Sequence, residues 1–133
     1  MSDRFHKNPP LRYGMVGGGA TSQIGDSHRA ALRRDGYYEL VAGALDIDAE
    51  RGLQFGKSLG LKSERTYPDY QLMVQAESDR EDKIQVVGVM TPNSTHYEIA
   101  KTFIEAGFHV ILEKPITTTT DDALDLIRLA KEK

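Results

Sequence analysis

The sequence predicts an α/β protein built around a doubly wound parallel sheet, a Rossmann-type fold. Short β-rich runs alternate with stretches of helical periodicity along the whole chain. The run from Ile84 to Met90 is almost entirely apolar, as a strand buried on both faces requires. The first strand runs into Gly17-Gly18-Gly19 and then directly into a helix. Strands that alternate with helices pair in parallel through right-handed crossovers, which gives this fold class.

The first half of the chain predicts a flexible polar lead-in over residues 1–10 and then two strand–helix pairs. Apolar and small residues at positions i, i+4, i+7 and i+8 predict the inner face of the first helix. The short carboxylate of Asp48 is the predicted N-cap of the second helix, and Gly60 is its predicted end. The predicted elements are strand Leu11–Val16, a helix whose inner face carries Ile24, His28, Ala31 and Leu32, strand Tyr38–Leu45 and helix Asp48–Leu59.

The second half predicts three more strands and three more helices. Pro68-Asp69 is a typical helix start, and Thr119 is the predicted cap of the last helix. The predicted elements are a very short strand at Arg65–Tyr67, helix Tyr70–Glu77, strand Ile84–Met90, helix Ser94–Ala106, strand Phe108–Leu112 and a helix after Thr119. We therefore expect five strands in the order 3-2-1-4-5, with the chain ending before a sixth strand.

Composition excludes several classes of protein. A length of 133 residues suits one domain, which we place at residues 11–133, and 17 Lys and Arg against 20 Asp and Glu leave a net charge of −3. We therefore expect no nucleic-acid partner, because phosphate binding needs a basic face. No run approaches the ~18 apolar residues of a membrane span and the N-terminus lacks a signal peptide, so we expect a cytoplasmic protein. Without cysteine, or histidines paired at i, i+4, we expect no metal site.

The glycine turn after the first strand is the first candidate site. Gly17-x-Gly19-x-x-Ser22 matches the dinucleotide fingerprint G-x-G-x-x-G/A except at its last position. Gly17 would permit the tight turn, Gly19 would let the backbone approach a diphosphate, and Ser22 would be small enough for close packing of helix on strand. With Ala20 and Thr21, these residues would present the N–H groups of the helix start to the cofactor.

The end of the second strand should carry an acid that accepts the ribose hydroxyls of the cofactor, and Asp46 is the candidate. A carboxylate there favours NAD and repels the 2′-phosphate of NADP. The spacing from the glycine turn exceeds the usual ~20 residues, so the register of this position stays open. Arg51 is best interpreted as a solvated surface residue, although it lies one turn into the helix and could meet a 2′-phosphate.

The loops after the fourth and fifth strands should border the same crevice, because the sheet reverses direction between strands 1 and 4. The fourth strand runs into Thr91-Pro92-Asn93-Ser94-Thr95-His96. We interpret His96 and His28 primarily as packed, hydrogen-bonded histidines on helix faces. The fifth strand ends in Glu113-Lys114-Pro115, and a cation delivered there could position a substrate hydroxyl or tune its acidity.

Three motifs together resemble the GFO/IDH/MocA oxidoreductases, a family that includes glucose–fructose oxidoreductase and inositol 2-dehydrogenase. They are V-G-G-G near the start, T-P-N-x-x-H after strand four and E-K-P after strand five, and their order and spacing match over residues 11–133. The resemblance implies an NAD(P)-dependent enzyme that transfers a hydride to or from a sugar, inositol or related polyol. It makes Lys114 the catalytic lysine, and it places these residues at the cofactor: Gly17, Gly19, Thr91, Pro92, Asn93, His96 and Glu113. The same resemblance offers Leu45 as the residue at the position where many members carry the ribose-binding acid, which leaves the choice between NAD and NADP open.

The resemblance also implies a longer protein. Family members add a sixth strand and a second α/β domain that supplies an Asp and a His for proton transfer, so this chain alone should bind a dinucleotide without turnover. At full length we expect a homo-oligomer. The alternative is a nucleotide-sensing or partner-binding Rossmann module without catalysis, and a redox-assisted lyase or glycosidase also stays open, because the cofactor half does not read the substrate.

Overall fold

The computed structural model describes residues 8–133, so most of the predicted lead-in lies outside the described residues. Four strands alternate with five α-helices, and 3₁₀ turns at Ser63–Arg65 and Asn93–Thr95 precede α3 and α4. The elements are β1 Leu11–Gly17, α1 Gln23–Arg34, β2 Tyr38–Ala44, α2 Ala49–Ser58, α3 Tyr70–Ser78, β3 Val86–Met90, α4 His96–Glu105, β4 His109–Leu112 and α5 Thr120–Glu132.

The sheet has the order β2-β1-β3-β4, and its three strand pairs are all parallel. The predicted third strand at Arg65–Tyr67 is wrong, since the structure has only an isolated parallel bridge between Gly43 and Thr66. The backbone N–H groups of Arg65 and Thr66 donate to Lys62 and Ser63 within the 3₁₀ turn, so they do not extend a ladder. The segment does lie beside β2, where the predicted order put it. The doubly wound α/β class is confirmed with one strand fewer.

The core lies in two layers, one on each face of the sheet. Between the sheet and α3 and α4, β-strand valines pack with Met73, Ile99 and Phe103, all almost completely buried. Between the sheet and α1 and α2, Tyr13 and Met15 of β1 pack with smaller aliphatic side chains. All five residues of β3 are buried, as its apolar sequence predicted. The central strands are therefore fixed from both sides, which holds their carboxyl ends in place.

The inner face of α1 differs from the predicted one. Gly25, Arg29 and Leu32 are the buried residues of this helix, whereas Ile24 is 41% exposed and Ala31 is also exposed. The helix is turned by about one residue from the predicted setting. Contact of Gly25 with the glycine turn fixes this rotation, because no residue with a side chain fits so close to another backbone.

A buried ion pair anchors the segment that replaces the third strand. Arg65 donates to both carboxylate oxygens of Glu77, at 3.0 and 2.7 Å, and Glu77 is completely buried. The same carboxylate accepts hydrogen bonds from the Tyr67 hydroxyl and the Ile84 N–H. Burial and this contact raise the pKa of Tyr67 far above its usual value. The cluster joins the 3₁₀ turn, α3 and the chain entering β3.

The opposite edge of the sheet is open in the described chain. β4 pairs only with β3 among the described residues. Thr119 caps α5 by accepting the Asp122 N–H, and Leu126 and Leu129 of that helix are buried. Within residues 8–133, no helix is long and apolar enough to cross a bilayer.

Candidate dinucleotide site

The carboxyl ends of β1, β2 and β3 open into a cleft of about 650 Å³. The cleft lies at the point where the strand order reverses: β1 has β2 as its neighbour on one side and β3 on the other. Of the predicted site residues, Gly17, Asp46, Thr91 and Pro92 line this cleft. The remaining predicted site residues lie on the glycine turn, in or beneath the loop that begins at Thr91, or after β4.

The glycine turn is tight because β3 lies directly beside it. Gly17 and Gly18 have φ angles of +77° and +72°, values that side chains strongly disfavour. A Cβ on Gly17 would lie 2.7 Å from the Met90 carbonyl oxygen. The chain thus reverses between β1 and α1 in a space that only glycine fits. This agrees with the role predicted for Gly17.

Gly19 is close to β2 as well as to the cleft. A Cβ on this residue would lie 2.8 Å from the Leu45 carbonyl oxygen and 3.5 Å from Asp46 Oδ2. Any side chain would therefore displace the turn from the end of β2, in addition to filling the space beside the helix start.

The small residue that lets α1 pack closely against the glycine turn is Gly25. The prediction that Ser22 fills this role is wrong. A Cβ on Gly25 would lie 2.6 Å from both Gly18 Cα and the Gly18 carbonyl oxygen. Ser22 is instead the N-cap of α1, and its hydroxyl accepts the Gly25 N–H at 3.0 Å. The motif is therefore G-x-G followed by Gly25 after five residues. The other N–H groups of the first turn lack intrahelical acceptors, and the helix dipole is positive there.

Arg29 lies behind the glycine turn and is 3% exposed. Its guanidinium donates to the Gly18 carbonyl oxygen and to Asp26, and it stacks 4.9 Å from the centre of the Phe55 ring. Sequence reasoning missed this residue, because the predicted inner face of α1 carried His28 in place of Arg29. Its positive charge lies beneath the backbone that would face a diphosphate.

Asp46 follows β2 and lies next to the glycine turn, with Leu45 buried in the core. Its carboxylate accepts the Asp48 N–H at 2.8 Å and both Nη2 and Nε of Arg51, at 2.9 and 3.3 Å. The hydrogen bond from Arg51 and then that from Asp48 hold the pKa of Asp46 below its usual value. Arg51 is exposed, as predicted, but is paired. Asp48 is the N-cap of α2, also as predicted.

The loop after β3 is fixed from below by His96. This side chain is 1% exposed, and its Nε2 and Nδ1 lie 2.9 Å from the carbonyl oxygens of Thr91 and Pro115 respectively. The structure thus confirms a packed, hydrogen-bonded histidine. The Asn93 Oδ1 atom is buried without a hydrogen-bond partner. The loop therefore has one unsatisfied acceptor near the start of α4.

The segment after β4 carries Glu113, exposed Lys114 and Pro115, and its Lys114–Pro115 peptide bond is cis. Glu113 Oε1 lies 2.9 Å from Nε2 of His28, and Oε2 accepts the Lys114 N–H at 3.1 Å. The hydrogen bond with His28 is the main cause that lowers the pKa of Glu113. This pairing was not predicted, because His28 and Glu113 are 85 residues apart in the chain.

Several cleft residues were missed by the sequence reasoning. Ile47, which is 99% exposed, follows Asp46, while Pro68 and Tyr70 come from the start of α3 and Glu98 from α4. The signal for Pro68 and Tyr70 was available, because they follow the predicted third strand and so lie at the same sheet edge. In the described part of the chain, no group of three or more His, Asp and Glu residues is placed to hold a metal ion.

Comparison with known proteins gives consistent matches over the described domain. A family profile described as "Oxidoreductase family, NAD-binding Rossmann fold" (GFO/IDH/MocA) matches residues 11–133. An uncharacterised oxidoreductase of Bacillus subtilis, YfiI, is 53% identical over 93% of this chain and 32% of its own length.

Two solved structures are also similar. An oxidoreductase from Pseudomonas syringae has a TM-score of 0.91 and 51% identity over 92% of this chain and 34% of that one. An inositol dehydrogenase homologue from Azotobacter vinelandii, crystallised with NADH and myo-inositol, has a TM-score of 0.91 and 49% identity over 92% of this chain and 32% of that one. The chain thus spans about a third of the length of these relatives.

Proposed function

Because the chain belongs to the GFO/IDH/MocA oxidoreductases, matching their NAD-binding Rossmann domain, we propose that it is the cofactor-binding part of an NAD-dependent polyol dehydrogenase. The substrate class that fits is an inositol or a related sugar or polyol. The support is the 49% identity to the homologue crystallised with NADH and myo-inositol. The whole enzyme would transfer a hydride between that substrate and the nicotinamide.

The contact of Gly25 with Gly18 is the observation that carries the cofactor assignment. It brings the start of α1 against the glycine turn and leaves no side chain between them. The N–H groups of Gly19, Ala20, Thr21 and the first helical turn would hold the diphosphate, with Ser22 as the cap. The dinucleotide itself, when bound, supplies the hydride acceptor or donor.

Asp46 would accept the hydroxyls of the adenosine ribose. Its carboxylate adjoins Gly19 and lines the cleft, where Ile47, Pro68 and Tyr70 provide apolar surface for the adenine. A carboxylate with a lowered pKa stays charged at neutral pH and repels a 2′-phosphate, so NAD is favoured over NADP. Replacement by serine should reduce this preference at least tenfold. A competitive titration of the two cofactors measures it, and an unchanged ratio would remove Asp46 from the site.

On the nicotinamide side, Thr91, Pro92, Asn93 and Glu113 would border the cofactor, and Lys114 would face the substrate. His96, predicted to contact the cofactor, is buried with both ring nitrogens bonded, so it would act only by holding this loop. The Lys114 ammonium would hold the substrate hydroxyl by a charge-assisted hydrogen bond and stabilise the oxygen as the hydride leaves, while the hydroxyl proton would pass to the Asp or His that the family's second domain supplies. Lys114 is exposed here, so no wall excludes water from it in the described chain. We therefore expect this chain alone to bind NADH and to turn over no polyol.

NADH titration by fluorescence or calorimetry tests the proposal. Wild type should bind saturably, and Gly19→Ala should bind at least tenfold more weakly, because its Cβ displaces the turn from Leu45. Gly60→Ala is a control for a glycine replacement outside the residues that line the cleft. Its Cβ would meet open space, and any strain from its φ of +80° would lower stability without touching the cofactor. Equal NADH affinity for wild type and Gly19→Ala would contradict the assignment of the turn.

A further inference from the structure

Two histidines from different helices hold the segment that carries Lys114. His28 of α1 contacts the Glu113 carboxylate on one side of the lysine, at 2.9 Å. His96 of α4 contacts the Pro115 carbonyl oxygen on the other side, also at 2.9 Å. Lys114 thus lies between two residues that are each fixed by an imidazole.

The contact with His28 also fixes the backbone of Lys114. The two oxygens of Glu113 are used separately, one by His28 Nε2 and the other by the Lys114 N–H. Both side chains of the pair are shielded, with 18% and 19% of their surface exposed. A carboxylate held at one oxygen has little freedom to rotate, so its second oxygen stays directed at the Lys114 amide.

The packing of α1 does not by itself require a histidine at position 28. The buried residues of this helix are Gly25, Arg29 and Leu32, and His28 lies at the margin of that face. Its imidazole instead bridges the helix that begins at the glycine turn and the segment after β4. The bridge therefore links the proposed diphosphate site to the lysine.

We propose that His28 is a positioning residue for Lys114, acting through the Glu113 carboxylate. The inference uses the proposed function only for the role of Lys114 at the substrate, whereas the fixation of the segment is a property of this chain. Replacing the imidazole frees Glu113 and loosens the Lys114 backbone. A glutamine, whose amide nitrogen reaches a position similar to that of Nε2, restores the hydrogen bond without the charge.

The charge of the His28–Glu113 pair provides a second measurement, the pH dependence of the Lys114 amide resonance. A role of His28 in packing alone would not change that dependence. The charged groups that act on Glu113 are His28 and Lys114, and both lower its pKa. Protonation of the His28 ring strengthens its bond to the carboxylate, since charge-assisted hydrogen bonds are the stronger kind. The Lys114 amide is bonded to the same carboxylate, so a change in the bond between His28 and Glu113 should also reach this amide.

Amide NMR spectra of this chain test the proposal, recorded between pH 5 and 8 for wild type, His28→Ala, His28→Gln and the control His109→Ala. His109 is an exposed histidine on β4, five residues before Lys114. In wild type the Lys114 amide resonance should move together with the ring resonances of His28 as the pH is changed. His28→Ala should shift the resonance and at least double its hydrogen-exchange rate. His28→Gln should keep the wild-type exchange rate but lose the pH-dependent movement, and His109→Ala should behave as wild type.

An unchanged Lys114 amide in His28→Ala, or a movement with pH that persists in that variant, would overturn the proposal. NADH titration separates it from the proposed function. His28→Ala should bind NADH within threefold of wild type, whereas a loss as large as that of Gly19→Ala would mean that His28 holds α1 rather than the lysine segment. Failure of wild type to bind NADH would contradict the proposed function and leave the Lys114 amide to decide the role of His28.

Discussion

Replacement of Gly25 by alanine tests most severely the packing of α1 on the glycine turn. The new Cβ would lie 2.6 Å from two backbone atoms of Gly18 and 2.9 Å from a third. Backbone atoms cannot rotate away, so α1 must move by about 0.8 Å to reach the 3.4 Å of an ordinary contact. Overpacking of this kind costs about 1–3 kcal/mol, and the gain in helix propensity from Gly to Ala, up to about 1 kcal/mol, offsets only part of it.

The expected result for Gly25→Ala is a free energy of unfolding lower by about 1–2 kcal/mol, measured by urea denaturation followed by circular dichroism. NADH affinity should also fall about tenfold or more, because the helix start moves away from the turn. Gly52→Ala is the matched control. Gly52 is also a buried helical glycine, but its Cβ would meet only ordinary contacts at 3.4–3.8 Å, so this variant should be as stable as wild type or more so. If Gly25→Ala kept both wild-type stability and wild-type NADH affinity, the packing argument would be refuted.

Three further predictions concern buried or paired polar groups. The Tyr13 hydroxyl is buried without a hydrogen-bond partner, so Tyr13→Phe should stabilise the fold by about 1 kcal/mol in urea denaturation, and a clear loss of stability would contradict this. Glu77→Ala should cost about 3–5 kcal/mol, because it removes the buried carboxylate partner of Arg65 and leaves only the longer, partly exposed contact with Asp82. Asp82→Asn, at a 56% exposed carboxylate, should cost less than about 1 kcal/mol. Asp46 has a lowered pKa in the folded state, so its ion pair stabilises the fold above its usual pKa of 3.8 and loses that effect as pH falls through the lowered value. Unfolding of wild type and Asp46→Asn should therefore differ at pH 6 and converge in acid; a constant difference across this range would refute that interpretation.

The sequence predicted the elements well where local chemistry decides them. The caps at Asp48, Asp69 and Thr119 follow from short oxygen-bearing side chains, and the structure has each of them accepting a first-turn N–H. The apolar run that forms β3 also needed no information from elsewhere in the chain. These features depend on neighbours within a few residues.

The errors arose where distant contacts decide. The sequence predicts a strand at Arg65–Tyr67. In the structure the Arg65 side chain pairs with the buried Glu77 carboxylate, and the backbone forms a turn instead. Periodicity placed Ile24 on the inner face of α1, yet the approach of Gly25 to Gly18 sets the rotation of that helix. A pairing such as that of His28 with Glu113 joins residues that only the complete sheet brings together.

Mapping of NADH onto this chain by amide chemical-shift changes tests the central claim most directly. The account predicts saturable changes at the amides of residues 17–25, at Asp46 and at Thr91, with little change at α5 or at the open edge of β4. Gly17, Asp46 and Thr91 line the cleft at the carboxyl ends of β1, β2 and β3, and residues 18–25 form the rest of the glycine turn and the start of α1. The absence of saturable changes at millimolar NADH, or changes centred away from the glycine turn, would contradict the claim that this domain binds a dinucleotide there.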